Sequence, residues 1–220
     1  MREPAEVMHI EPRWPVVLAT VAVLSLLTWL PDRVRLLPAW IPFLAVTALI
    51  VPMAALALST AKARWLRIER IVTLLFIVFV GLTIVDILQN LLYSMVRRSA
   101  EITGLQLLNS SIAVWAENVL IFSVAYWRID RGGPEARANR ASTKPDWVFP
   151  QEGAPEDAPL GWRPTYIDYL FLAFCTATAF SPTDAQPMTS RAKLLMMLES
   201  LISLVTIAAV ASRAINILGS

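Results

Sequence analysis

Three acids, Asp86, Glu117 and Glu199, lie inside long apolar stretches with no basic residue at their depth. Ionisable side chains are costly in hydrocarbon, so acids so placed mark an ion route, a proton relay or an interhelical contact. Each has polar company at helical spacing. Asp86, Gln89, Asn90, Tyr93 and Arg97 form one stripe; Glu117 adjoins Asn118, with Ser110 two turns earlier; Glu199, Ser203, Thr206 and Arg213 form another. Counted along their helices, the three acids fall at comparable depths, as a path for a monovalent cation or a proton requires. The alternative is that each is hydrogen-bonded to a neighbouring helix and fixes packing only.

Other chemistry is excluded more firmly. Cys175 is the one cysteine and His9 the one histidine, so neither a disulfide nor a His-based metal site can form within the chain. No nucleotide-binding, zinc-protease or serine-hydrolase motif occurs, and only Asp86 lies deep in an apolar run as Asp, where an intramembrane aspartyl protease needs two. An enzyme, a cofactor and a nucleic-acid partner are therefore not expected.

The elements that must position these acids are transmembrane helices. Of the 220 residues 56% are hydrophobic and 16% charged, too apolar for a soluble core to hide, so the lipid bilayer is the expected partner. Apolar runs extend from Pro15 to Leu30, Ala39 to Ser59, Ile71 to Val96, Leu107 to Ile129 and Arg191 to Leu218, many with Trp near their ends. Trp115, close to Glu117, is the exception and stands to shape a buried site. A further run, Tyr166 to Ser181, is only about 24 Å long as a helix, so it either spans a thinned bilayer or re-enters. The fold class is thus all-α, a polytopic helical bundle with six spans, the alternative being five spans plus a re-entrant helix. It divides into an N-terminal segment (1–14), a four-helix region (15–129), a Pro/Gly-rich loop without a fold of its own (130–165) and a C-terminal hairpin (166–220).

That hairpin carries a resemblance. Asp168, Leu170, Phe171, Phe174, Thr176 and Thr178, then Asp184, Pro187, Thr189, Ala192, Lys193, Glu199, Leu201, Ile202 and Arg213, follow without a gap the pattern of pore helix, filter and inner helix. In this the segment resembles the tetrameric potassium channel superfamily, which implies ion passage through a homo-oligomer, with Thr176, Thr178 and the filter positions on the path. Where those channels carry Thr-Val-Gly-Tyr-Gly-Asp, this chain has Ala179, Phe180, Ser181, Pro182, Thr183 and Asp184. Ser181 and Thr183 replace the glycines whose backbone freedom a carbonyl ladder needs, and Pro182 fixes φ, so potassium selectivity is not expected. The AFSPTD string and the final Ala-Ile-Asn-Ile-Leu also look like a group of uncharacterised bacterial multi-pass proteins, for which no function is implied. The rival to a conducting protein is a non-conducting scaffold or accessory subunit that kept the hairpin for assembly. Ser200, Ala208, Ala211 and Ser212 suit close helix packing between copies.

Six spans would leave only Arg33, Arg35, Arg97, Arg98, Arg191 and Lys193 on one side of the membrane and all other Lys and Arg on the opposite one. The positive-inside rule then puts both termini in the cytoplasm of a cell with this chain in its inner membrane.

Overall fold

A computed structural model of the chain describes residues 11–29, 47–48, 51, 62–97, 104–139, 143–178 and 185–218. Helix α1 is Trp14–Trp29, α2 Lys62–Arg97 and α3 Gly104–Ile129; a 3-10 turn at Asp130–Gly132 and two short helices, α4 (Pro134–Ala138) and α5 (Pro150–Gly153), follow, with α6 Tyr166–Thr178 and α7 Ser190–Leu218 closing the chain. Two two-residue strands, β1 (Trp147–Val148) and β2 (Gln186–Pro187), pair antiparallel, Trp147 opposite Pro187. The chain is thus mainly helical, as expected. Where six crossings are expected from sequence, three helices are long and apolar enough to cross a membrane among the described residues: Arg64–Asn90, Leu108–Gly132 and Ser190–Ala211. Trp14–Thr28 and Tyr166–Thr178 are shorter apolar helices. Of the run from Ala39 to Ser59, only Thr47, Ala48 and Val51 are among the described residues, all helical and exposed.

α3 is the hub. From Glu117 to Arg128 nearly every side chain is buried, the signature of a helix enclosed on all sides. α1 and α2 each bury one stripe against it, Val16, Ala19, Val23 and Leu27 from α1 and Phe76, Val80, Ile84 and Ile87 from α2. Their outer faces, such as Leu75, Val78 and Leu82 on α2, are exposed leucines and valines suited to lipid tails.

α2 begins well before the expected Ile71. The basic stretch from Lys62 to Arg70 is its first turns, with Arg64, Arg67 and Arg70 outward and Glu69 turned in to Arg13 at the start of α1, 2.6 Å away. Arg13 also reaches Glu135, 2.7 Å, and Arg137 binds Glu11. These pairs gather the starts of α1 and α2 and the end of α3 at one end of the bundle.

At that end, the described residues of 130–165 form a packed cap rather than the foldless loop their composition suggests. Arg131, Gly132 and Gly133 all have positive φ, reversing the chain as it leaves α3 so that α4 folds back. A Cβ on Gly133, at φ +105°, would also stand 3.1 Å from the Arg128 carbonyl, so only glycine fits there. Asp130, fully buried, accepts from the Asp146 amide (2.8 Å) and from the Tyr169 hydroxyl (2.6 Å). The Arg137 guanidinium donates to the Trp127 and Asp130 carbonyls at 2.7 and 2.9 Å and lies over the Tyr169 ring. Trp147 is wholly buried against Tyr126, ring centroids 4.7 Å apart. A segment without apolar periodicity holds its shape because its buried charges are paired and its aromatics fill the end of the bundle.

Candidate functional site

The described polar interior of the hairpin lies where α6 and α7 meet α3. Tyr169 near the start of α6 bonds Asp130 in the cap, and the next two turns descend along α3, where Phe174 meets Trp115 edge-on at 5.9 Å. α7 starts in the cap too: the Asp146 carboxylate accepts from Thr189 Oγ1 (2.6 Å) and from Arg191 Nε and Nη2 (2.6 and 2.5 Å), and Thr189 Oγ1 in turn caps the Ala192 amide. α6 and α7 therefore run side by side in the same direction, away from the cap.

At the inner end of α6, Ser200 Oγ donates to the Thr176 carbonyl at 3.3 Å and Ser203 Oγ to the Ala177 carbonyl. Two of the last carbonyls of a helix, normally without partners, are thereby bound by hydroxyls of its neighbour. The end of α6 stops beside Ser203, about 20 Å down α7 from Ser190. The chain is nonetheless back at the cap by Ala185, which is buried, and pairs there through β2.

Behind this hairpin, Glu199 is fully buried. Its Oε2 accepts from the Tyr126 hydroxyl and its backbone carbonyl from Asn118 Nδ2 at 3.1 Å, so one residue ties α7 to α3 twice. Ser123 and Tyr166 share a hydrogen bond of 2.6 Å that ties α6 to α3 in the same way.

Of the residues singled out from sequence, Asn118, Glu199, Ser203 and Thr176 meet here. Thr176, Thr178 and Thr206 bond carbonyls of their own helices, Leu172, Phe174 and Ile202. Glu117 is buried on a different face of α3, about 100° round from Asn118, and shares its stripe with Arg128. Asp86 and Asn90 are half-buried on α2, where Asn90 Nδ2 donates to the Asp86 carbonyl (3.1 Å). Asp86 lies about 25 Å along α2 from Glu69, so the three acids do not share one depth or one site. Ala179, Phe180, Ser181, Pro182, Thr183 and Asp184 lie outside the described residues.

Sequence reasoning missed Tyr126, Ser123, Tyr166 and the cap residues Asp130, Arg137, Asp146 and Tyr169. One signal was present: an acid at the C-terminal end of a long helix, as Asp130 is, opposes the helix dipole and so needs another reason to be there.

No metal-binding group of three His, Cys, Asp or Glu occurs among the described residues. No family model matches the sequence, and neither the curated proteins nor the solved structures contain a match to it.

Proposed function

We propose that the protein is a channel-like membrane protein that passes a monovalent cation or a proton or regulates such passage, with α6 as a re-entrant helix that stops inside the bilayer. The observation that carries this is the β1–β2 pair: the chain enters along α6 from the cap and is hydrogen-bonded to the cap again before α7 begins. At about 20 Å, α6 is too short for a hydrocarbon core of about 30 Å. The steps from Thr178 to Ala185 reach at most about 25 Å, enough for the return. A helix that ends within the membrane presents the negative end of its dipole there, a setting that favours a cation. The potassium channel resemblance of Asp168 to Arg213 supports the same reading, without potassium selectivity because Ser181 and Thr183 stand for glycines.

In this reading α1, the run from Ala39 to Ser59, α2, α3 and α7 make five crossings. The cap end then holds Arg13, Arg64, Arg67, Arg70, Arg128, Arg131, Arg137, Lys144, Arg163, Arg191 and Lys193. The positive-inside rule puts that end in the cytoplasm, as in the six-span reading, but places Arg191 and Lys193 there too and the C-terminus across the membrane. The exposed stripe of Leu194, Met197, Leu201 and Leu204, beside Ser200 and Ala208, gives α7 a face for a second copy in a homo-oligomer. The scaffold alternative draws on one observation, that Thr176 and Thr206 spend their hydroxyls on their own helices.

Two measurements test this. Lys144→Cys and Gln186→Cys, each in a Cys175→Ala background, are expected to react with a membrane-impermeant maleimide from the same face; labelling from opposite faces would make α6 a true span. Liposomes carrying the purified protein are expected to leak monovalent cations or protons above protein-free controls, whereas no leak under any gradient leaves the scaffold.

A further inference from the structure

Away from the hairpin, the α1–α2–α3 interface contains a column of buried polar groups. Glu69 and Thr73 stand one turn apart on the buried stripe of α2, Thr20 lies on the buried stripe of α1, and Glu117 and Ser110 lie two turns apart on one face of α3; all five are 4% exposed or less. Their register is fixed by the pairs at the cap, where Arg13 starts α1, Glu69 lies near the start of α2, and Arg128 near the end of α3 is within electrostatic reach of Glu69. Measured down from that level by helix rise, Thr73 is about 6 Å deep, Thr20 about 10 Å, Glu117 about 16 Å and Ser110 about 27 Å, nearly the depth of a hydrocarbon core.

Most of these groups lack partners among the described residues, where neither carboxylate oxygen of Glu117 has a hydrogen bond, nor do Glu69 Oε2, Thr73 Oγ1 and Ser110 Oγ. Buried polar atoms are nearly always paired, and several unpaired ones along a single interface call for a ligand that comes and goes. A metal ion needs several oxygens at once, and Glu117 is a single carboxyl with buried Val114 and Ile121 one turn to either side of it on α3. One carboxyl in apolar surroundings suits a proton. The charged groups nearest along the column, Arg13, Arg128 and Glu69, are gathered at its cap end, three turns from Glu117.

We infer that α1, α2 and α3 enclose a proton route within each protomer, with the Glu117 carboxyl as its central exchange site and Glu69 at its cap-end mouth. By helix rise the buried Phe76, Ile121 and Val124 fall with Thr20 at the levels from Thr73 to Glu117, so the proton crosses when water enters that constriction, which acts as the gate. The route is independent of the hairpin reading, because it uses a different face of α3.

The test is proton uptake into liposomes containing the full chain and an internal pH-sensitive dye, with valinomycin clamping the potential. Glu117→Gln is expected to lower uptake about tenfold and Thr73→Val severalfold, while Glu199→Gln leaves it within about twofold. Uptake unchanged in Glu117→Gln overturns the route; loss in Glu199→Gln alone would move proton passage to the hairpin. A second measurement covers a Glu117→Gln protein that fails to fold. In the unsubstituted protein dicyclohexylcarbodiimide, which adds the O–H of a carboxylic acid across its C=N bond and rearranges to a stable N-acylurea, is expected to modify Glu117. A peptide map with Glu117 unmodified overturns the proposal as well.

Discussion

Asp146→Ala is expected to destabilise the protein in detergent by about 3 kcal/mol, because three hydrogen bonds to one carboxylate are lost at about 1 kcal/mol or more each. The carboxylate is fully buried and takes three hydrogen bonds, while its own backbone carbonyl accepts from Met188 at 2.8 Å. Without it the Thr189 hydroxyl loses the acceptor that orients it over the α7 N-terminus, and the β1–β2 pair loses its anchor. Arg191→Ala is the informative comparison. Its side chain is 59% exposed, so the cation that Asp146→Ala frees is largely hydrated already, whereas Arg191→Ala removes that cation and leaves the buried carboxylate. The loss from the cation's side of the pair is small, and the cost comes from stranding Asp146, which Thr189 still binds; about 1–2 kcal/mol is expected. Thermal unfolding followed by tryptophan fluorescence measures both. Equal, small effects would mean that the cap does not hold the return of the hairpin. A large effect should be accompanied by faster maleimide reaction at Gln186→Cys, because the same contacts that stabilise the cap also keep residues 185–191 against it.

The asymmetry between those two residues shows why the cap could not be read from sequence. Helices α1, α2, α3 and α7 announce themselves by apolar runs, a signal carried within each segment. The cap is specified by pairs far apart in the chain, Asp146 with Arg191 and Arg137 with Glu11, and such pairs leave no local period. Proline, glycine and mixed charge, which usually write a loop, here serve a reversal at Gly132 and Gly133 and a set of buried ion pairs. The start of α2 was hidden for a related reason. Its first turns are too basic to read as a span, yet Arg and Lys are good helix formers, and Arg64, Arg67 and Arg70 face outward while Glu69 faces inward. In the candidate site, Glu117, Asn118 and Glu199 were legible as polar residues in apolar runs. Their partners were not: adjacent residues on a helix diverge by about 100°, so Glu117 and Asn118, read together as one pair, belong to two different interfaces.

For Glu199 that difference has measurable consequences. Glu199→Ala is expected to cost about 3 kcal/mol, because it leaves the Tyr126 hydroxyl buried without an acceptor and opens space between α7 and α3. Tyr126→Phe removes the donor instead and leaves a buried carboxylate oxygen, at a cost of about 1–3 kcal/mol. Glu199→Gln keeps an acceptor of the same shape at the same place, so the Tyr126 bond survives and the loss should stay near about 1 kcal/mol. In a double-mutant cycle of Tyr126→Phe with Glu199→Ala, the two losses should fall short of additivity by about 1–2 kcal/mol, since each alone strands the other's polar atom. Additive losses would show that the two side chains do not act on each other. Glu199 is on this account a positioning residue, and the bond that matters is to its own carbonyl as well as its carboxylate: Asn118 Nδ2 binds the α7 backbone there, so Asn118→Ala should weaken the same contact without touching a charge. An acid that lined a cation path would behave differently. Neutralising it as Gln would change flux while leaving stability intact, whereas the Tyr126 tie makes stability the quantity that moves and Glu199→Ala the substitution that moves it.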